Sequence, residues 1–162
     1  MAFALILNKK GKTIPKEQAE YFLDELKFST FDREKILLHN DKAFIQGSRF
    51  LTNEDAQEST PQIDNQLIII SDTFLLNRQE LIDALDLKKE IITDTDIIKA
   101  AYLKWGKACL KKLNGDISFI IYNIAKNKLF IAGSRTPSQS IYYYNTDDYL
   151  CISTLLAPLR NF

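Results

Sequence analysis

The final third of the chain limits its possible folds most strongly, because short apolar runs alternate there with short polar turns. Residues 117–124 and 129–132 flank one such turn, and residues 141–144 and 149–152 flank another. Apolar runs of this length joined by tight turns predict β-hairpins. This part of the chain is therefore expected to form mainly antiparallel sheet.

The first two thirds of the chain add further strands and several helices. Four apolar runs are predicted strands: residues 3–8, 35–39, 42–46 and 67–70. Asn40 and Asp41 join the middle two, which favours another hairpin. Apolar residues at helical spacing follow Pro15, Asn77 and Thr93, which predicts helices at these points. The predicted fold class is α+β with mainly antiparallel sheets.

Two of the predicted helices carry a capping signal at their first residues. Asn77 is followed three residues later by Glu80, and Thr93 is followed three residues later by Asp96. In this pattern each side chain accepts a hydrogen bond from the backbone N–H of the other residue. We therefore expect both helices to begin at a reciprocal capping arrangement.

The composition is that of a globular domain without a strongly charged surface. Its 162 residues suit a single domain, spanning residues 1–162, which buries roughly 70% of its unfolded surface. Lys and Arg together number 21, as do Asp and Glu, so no net charge favours nucleic acid. No apolar run approaches the roughly 20 residues that span a bilayer, and the first residues lack the pattern of a secretion signal. We expect a cytoplasmic protein that binds neither nucleic acid nor membrane.

Cysteine and histidine are too sparse for a metal centre or a His-based catalytic triad. Cys109 and Cys151 lie far apart in the sequence, each among apolar neighbours, and are predicted to be buried free thiols. His39 is the only histidine. Because triads and His-rich metal sites need more than this, we expect no metal and no cofactor in this chain.

Several stretches, in order and spacing, resemble the asparagine-synthetase type of glutamine amidotransferase, and together they cover most of the chain. They are residues 1–11, 71–81, 93–106 with 113–119, 129–143 and 153–157. The clearest pairs an Ala-Tyr-x-x-Trp-Gly helix, ending at Gly106, with a Leu-x-Gly-Asp segment at residues 113–116. The resemblance implies a four-layer αββα sandwich of the N-terminal-nucleophile type. The ATP-pyrophosphatase domain of that family is expected to be absent from this chain, because no Ser-Gly-Gly-x-Asp-Ser loop occurs in it.

Two parts of the family's catalytic machinery have no counterpart in this sequence. The family has a cysteine after the initiator Met, which becomes the nucleophile when that Met is removed, whereas this chain has Ala2. Asp72 and Thr73 occupy the Asn-Gly pair that supplies the oxyanion hole, and an ungapped alignment places Ser71 and Asp72 there instead. An ionised Asp72 only accepts hydrogen bonds, and loss of one oxyanion donor costs roughly 3–4 kcal/mol of transition-state stabilisation. The chain is therefore expected not to hydrolyse glutamine.

Two positions match the family's residues for holding the amino-acid part of glutamine. By the resemblance, Arg49 would bind the α-carboxylate and Asp94 the α-ammonium group. The alternative interpretation is structural: Asp94 serves the start of its helix, where negative charge is favourable, and Arg49 forms an ion pair at the surface.

Three functional hypotheses follow. The first is an inactive glutaminase-like domain, resembling the first domain of lasso-peptide cyclases and β-lactam synthetases. Its partner would be an ATP-dependent amide-forming synthetase domain, in cis or in trans, and self-association is left open. The second is a stand-alone module that binds an amino acid or peptide through Arg49 and Asp94. The third is a hydrolase with an unrecognised nucleophile.

Overall fold

The computed structural model describes residues 1–27, 30–49, 60–134, 140–160 and 162. Two compact units are present: unit 1 is formed by Met1–Leu51 and Ser140–Phe162, and unit 2 by Thr52–Gln139. Each unit contains its own antiparallel sheet and its own cluster of buried apolar side chains.

The described residues form eleven strands and three α-helices. The strands are β1 (Ala2–Asn8), β2 (Arg33–His39), β3 (Lys42–Ser48), β4 (Gln62–Ile63), β5 (Leu67–Ser71), β6 (Phe74–Leu75), β7 (Gly115–Asp116), β8 (Ser118–Asn123), β9 (Lys128–Gly133), β10 (Tyr142–Asn145) and β11 (Tyr149–Ser153). The α-helices are α1 (Lys16–Glu25), α2 (Arg78–Leu85) and α3 (Asp94–Trp105), and short 3-10 helices lie at Gly106–Lys111 and Ala157–Leu159.

Unit 1 has a five-stranded sheet in the order β10-β11-β1-β3-β2, in which all neighbours are antiparallel. The hairpin predicted at Asn40 is confirmed: His39 pairs with Lys42, and Asn40 has a φ of 52°. Positive φ in a two-residue loop matches the twist of the flanking strands, and Asn tolerates it well. The hairpin predicted between residues 141 and 152 is also confirmed, as the pairing of β10 with β11.

Helix α1 covers one face of the sheet in unit 1. Its buried residues Ala19 and Phe22 pack in the same cluster as Ala4, Ile6 and Ile45 from the strands. Successive side chains of a strand point to opposite faces, so the residues at alternate positions of β1 meet the helix. This packing places the first residues of the chain in the interior of unit 1.

Unit 2 has a four-stranded sheet in the order β4-β5-β8-β9, together with the two-stranded ribbon β6-β7. The hairpin predicted between residues 117 and 132 is confirmed as the pairing of β8 with β9. Ile69 of β5 is buried in one cluster with Ile97 of α3 and with Phe119 and Ile121 of β8. The cluster therefore joins the helices of unit 2 to one face of its sheet.

The two predicted caps have different outcomes. The Thr93 cap is confirmed, because its hydroxyl accepts from the Asp96 N–H and Asp96 accepts from the Thr93 N–H. The Asn77 cap is confirmed in position only: Asn77 is the N-cap residue of α2, but the predicted side-chain capping bond is wrong, because its side chain makes none. Instead its amide donates to the Lys112 carbonyl at 2.9 Å and accepts from the Asn114 N–H at 3.0 Å. The Asn77 amide also donates to the Glu80 carboxylate at 3.3 Å, so its side chain bonds Glu80 and the backbone of residues 112 and 114 but not the backbone of its own helix.

The predicted class, α+β with mainly antiparallel sheets, is confirmed by these elements. Strands β4, β6 and β7 were not predicted, since each contains only two residues and carries no periodic signal. None of the helices in the described ranges has the length and apolarity required to cross a membrane.

Candidate functional site

Ala2, the residue predicted to occupy the nucleophile position, is buried in unit 1. Ala2 begins β1, has 1% of its surface exposed and pairs across the sheet with Gly47 of β3. It belongs to the apolar cluster that contains Ala19 and Phe22 of α1. A methyl group has no lone pair or ionisable proton, so this position provides packing and no nucleophile.

The backbone around Ala2 is tightly enclosed. A Cβ atom built on Gly47 would lie 2.0 Å from a ring carbon of Phe31, so the ring occupies the space beside this glycine. On the other side of β1, the Thr154 hydroxyl accepts from the Phe3 N–H at 3.0 Å. The Met1 sulfur accepts from the Gln46 side-chain amide at 3.5 Å. These contacts fix the start of the chain within unit 1.

Arg49 directly follows β3 in unit 1, and it is exposed. The other three candidate residues, Asp72, Thr73 and Asp94, belong to unit 2. The structure thus brings the last three into one unit, while Ala2 and Arg49 lie in the other.

The segment that carries Asp72 and Thr73 is bonded to the start of β8. The Asp72 N–H donates to the Ser118 carbonyl at 2.8 Å. The Thr73 hydroxyl accepts from the Ser118 N–H at 3.3 Å and lies 3.3 Å from the Ser118 carbonyl, to which it donates. The hydroxyl of Thr73 is therefore engaged with the backbone of Ser118.

The same segment is anchored to α3 on both sides of these residues. Before them, the Ser71 and Thr95 hydroxyls are 2.6 Å apart and buried. After them, the Leu75 N–H donates to Asp94 Oδ2 at 2.8 Å. The two anchors hold residues 72 and 73 against the first turn of α3.

Asp94 is 8% exposed, and both of its carboxylate oxygens have partners within unit 2. One oxygen accepts from the Leu75 N–H, and the other forms an ion pair with Arg78. Arg78 in turn donates to the Ile92 carbonyl at 2.6 Å. These contacts favour a structural role for Asp94, tying β6 and α2 to the start of α3.

Arg78 lies within the stretch 71–81 that carries the resemblance, but sequence reasoning assigned it no role. Its partner lies 16 residues away in sequence, and no local pattern marks such a contact. The neighbouring Asp96 is a helix-start acid: burial opposes its ionisation, but hydrogen bonds from Lys89 and Thr93 outweigh this and lower its pKa. Within the described ranges, no three His, Cys, Asp or Glu side chains form a metal-binding group.

The two cysteines are confirmed as free and buried. Burial raises the pKa of Cys151 to about 12, and burial also raises the pKa of Cys109. The thiolate is the reactive form, so both residues are poor nucleophiles in the folded protein.

We expect neither cysteine to react quickly with a thiol reagent such as DTNB at a pH of about 8, where an unperturbed thiol is partly ionised. In guanidinium chloride, both should react at the rate of a free cysteine. Counting the thiols labelled within the first minutes, with and without denaturant, checks this. Rapid labelling of one or both thiols in the folded chain would contradict the burial of the cysteines.

Comparison with known sequences points to one family. The profile of a family described as a glutamine amidotransferase domain matches residues 47–161. The putative asparagine synthetase (glutamine-hydrolyzing) 2 of Methanocaldococcus jannaschii is 27% identical over 154 residues, covering 83% of this chain and 30% of that protein. Asparagine synthetase (glutamine-hydrolyzing) 3 of Bacillus subtilis is 28% identical over 82 residues, covering 44% and 13% respectively. The chain thus spans less than a third of the curated relatives it matches.

Comparison with solved structures identifies the fold. Glutamine phosphoribosylpyrophosphate amidotransferase from B. subtilis, solved with ADP and GMP, has a TM-score of 0.73 at 14% identity. A structure described as the allosteric regulatory enzyme of purine biosynthesis has a TM-score of 0.74 at 13% identity. Each match covers 98% of this chain and 43% of the other. At such identities the likeness concerns the fold alone, and it confirms the predicted N-terminal-nucleophile type.

Proposed function

The chain belongs to the glutamine amidotransferase domain family, and on that premise we propose that it is a catalytically inactive member of it. The observation that carries the proposal is Ala2: the residue that the resemblance places at the family's nucleophile position is a buried methyl group. The resemblance that places Asp72 at the Asn of the oxyanion pair supports it, since a carboxylate has no N–H to donate to an oxyanion.

The proposed role is to act as structural partner of an ATP-dependent amide-forming synthetase domain, in cis or in trans. The curated relatives are named as asparagine synthetases, and the matched region is 30% and 13% of their lengths. The remaining length leaves room for such a domain. We further propose that the synthetase system resembles lasso-peptide cyclases or β-lactam synthetases. We also propose that the protein is cytoplasmic, because thiols stay reduced there.

Inactivity is tested by restoring the missing groups in steps. We expect no ammonia release from glutamine by the natural chain or by Ala2→Cys, because the variant still lacks the oxyanion pair. The triple variant Ala2→Cys, Asp72→Asn, Thr73→Gly adds that pair, and one donor alone is worth about 10²–10³ in rate. Mass spectrometry must show that Met1 has been removed from each variant that carries Cys at position 2.

Ammonia release by Ala2→Cys alone would contradict the assignment of Asp72 and Thr73 to the oxyanion position. Ammonia release by the triple variant but not by Ala2→Cys would show that the nucleophile and the oxyanion pair have both been lost in the natural chain. The matched control is Ala2→Ser, which adds a polar atom of similar size but a weaker nucleophile.

The partner is tested by affinity purification of the tagged chain from its native source, with identification by mass spectrometry. We expect a protein with an ATP-pyrophosphatase loop of the Ser-Gly-Gly-x-Asp-Ser type, or a continuation of the same polypeptide into such a domain. A stable interface should bury more than about 1,000 Å² in total. Failure to recover any such protein, and no such continuation, would contradict the role.

The alternative function is binding of an amino acid through Arg49 and Asp94. Asp94 is 8% exposed and already accepts from the Leu75 N–H and from Arg78, so an ammonium group has little access to its carboxylate. We therefore expect glutamine to leave the melting temperature unchanged, whereas ligand at 100 times its Kd adds about 2.7 kcal/mol of stability. A stabilisation that Arg49→Ala abolishes would favour this alternative.

A further inference from the structure

Unit 1 contains a pocket of about 570 Å³ that the amidotransferase family assignment does not explain. It lies between α1 and the hairpin of β10 and β11, and Phe162 closes one wall. Volumes of about 300–1,000 Å³ are typical of small-molecule sites. Every residue that lines it belongs to unit 1.

Aromatic rings form most of the lining. They come from Tyr21 of α1, Tyr144 and Tyr149 of the hairpin, and Phe162. The Phe162 ring meets the Tyr149 ring at 84° with centroids 4.9 Å apart, and the Tyr144 ring at 71° and 6.1 Å. Tyr21 contributes its ring only, because its hydroxyl is buried away from solvent. The faces of such rings attract cations through their quadrupoles.

The polar part of the lining carries negative charge. Asp148 supplies a carboxylate, Gln18 supplies an amide oxygen, and none of the lining residues is basic. Two lysines lie beside the pocket: Lys9 donates from Nζ to the carbonyl of the lining residue Thr146, and Lys10 approaches Asp148 at 3.6 Å. The Lys10 and Asp148 side chains are 58% and 62% exposed, so their ion pair is weak. A carboxylate accepts about four hydrogen bonds, so Asp148 can receive another donor.

We propose that this pocket binds a guanidinium group, as carried by an arginine side chain. A guanidinium is planar, stacks on aromatic faces and donates two parallel hydrogen bonds to a carboxylate. The rings and Asp148 supply both kinds of contact, and the Gln18 oxygen accepts from a further N–H. A metal ion is less suited, since divalent cations need several oxygen ligands and one lining residue is acidic. The inference is independent of the proposed function.

The test is an NMR titration of the full chain with Nα-acetyl-arginine amide, following the ring protons of Tyr149 and Phe162. The matched ligand is Nα-acetyl-citrulline amide, which has the same shape without the charge. We expect the citrulline compound to bind at least about tenfold more weakly, because its neutral urea group cannot form charge-assisted hydrogen bonds with Asp148. Choline, which has no N–H donor, should also bind more weakly than the arginine compound. Equal binding of the arginine and citrulline compounds, or of arginine and choline, would overturn the proposal.

The matched variants are Asp148→Asn and Asp147→Asn, which remove neighbouring charges in one exposed turn. Of these two residues, only Asp148 lines the pocket. We expect Asp148→Asn to weaken binding of the arginine compound at least about fivefold and Asp147→Asn to leave it unchanged. Tyr144→Leu, on the exposed strand β10, should weaken binding about threefold, as expected for a cation–π contact. Equal effects of the two Asp variants would also overturn the proposal.

Discussion

Asp94→Ala is expected to lower the free energy of unfolding of unit 2 by about 2–3 kcal/mol. The substitution leaves the Leu75 N–H buried without its 2.8 Å acceptor and separates Arg78 from its carboxylate. Most of the loss comes from the N–H, because Leu75 is 2% exposed. The ion pair contributes less than about 1 kcal/mol, since Arg78 is 36% exposed and screened by solvent.

Urea unfolding followed by the fluorescence of Trp105 measures this change. Trp105 is the only tryptophan, and it packs against the apolar cluster of unit 2. The control is Asp83→Asn on the exposed side of α2, for which we expect a change within about 0.5 kcal/mol. Arg78→Met should cost less than Asp94→Ala. If the two Asp variants were equally stable, Asp94 would not be the tether described above.

Gly115→Ala is expected to destabilise the same unit by about 3 kcal/mol or more. Gly115 has a φ of +143°, which side chains rarely adopt, and an added Cβ would lie 2.1 Å from the Phe74 carbonyl oxygen. Because that oxygen belongs to the backbone of the paired strand β6, a side-chain rotation cannot relieve the contact. The ribbon of β6 and β7 would have to open.

Gly11→Ala is the matched control for Gly115→Ala. Gly11 also has a positive φ, +73°, but no atom lies within 4 Å of its added Cβ. We expect Gly11→Ala to cost about 1–2 kcal/mol, the ordinary penalty of a left-handed L-residue. Both variants are measured by urea unfolding with far-UV circular dichroism. A Gly115→Ala cost no larger than that of Gly11→Ala would show that strand β6 moves away easily.

The hairpins and the Thr93 cap could be predicted because their signals are local. Residues 117–132 carry two apolar runs on either side of a turn, and Thr93 is three residues from its partner Asp96. The two buried thiols followed from their apolar neighbours. For such features, sequence spacing and three-dimensional contact coincide.

The site could be predicted less completely, because its contacts are non-local. Asn77 has the right residue type and spacing for a cap, yet its amide bonds residues 112 and 114 instead. The pairing of Asp94 with Arg78 joins two helices across 16 residues. The resemblance located Asp72, Thr73 and Asp94 but carried no information about which hydrogen bonds occupy them.

The order of strands in unit 1 has a consequence for synthesis on the ribosome. Strand β1 lies between β3, which is made soon after it, and β11, which is made only after the whole of unit 2. Unit 2 is a continuous stretch, so it can fold before β11 has paired with the edge of β1 that is opposite β3. An apolar strand edge left open in this way favours aggregation. Until β11 has left the ribosome, the nascent chain is therefore expected to expose this edge of β1.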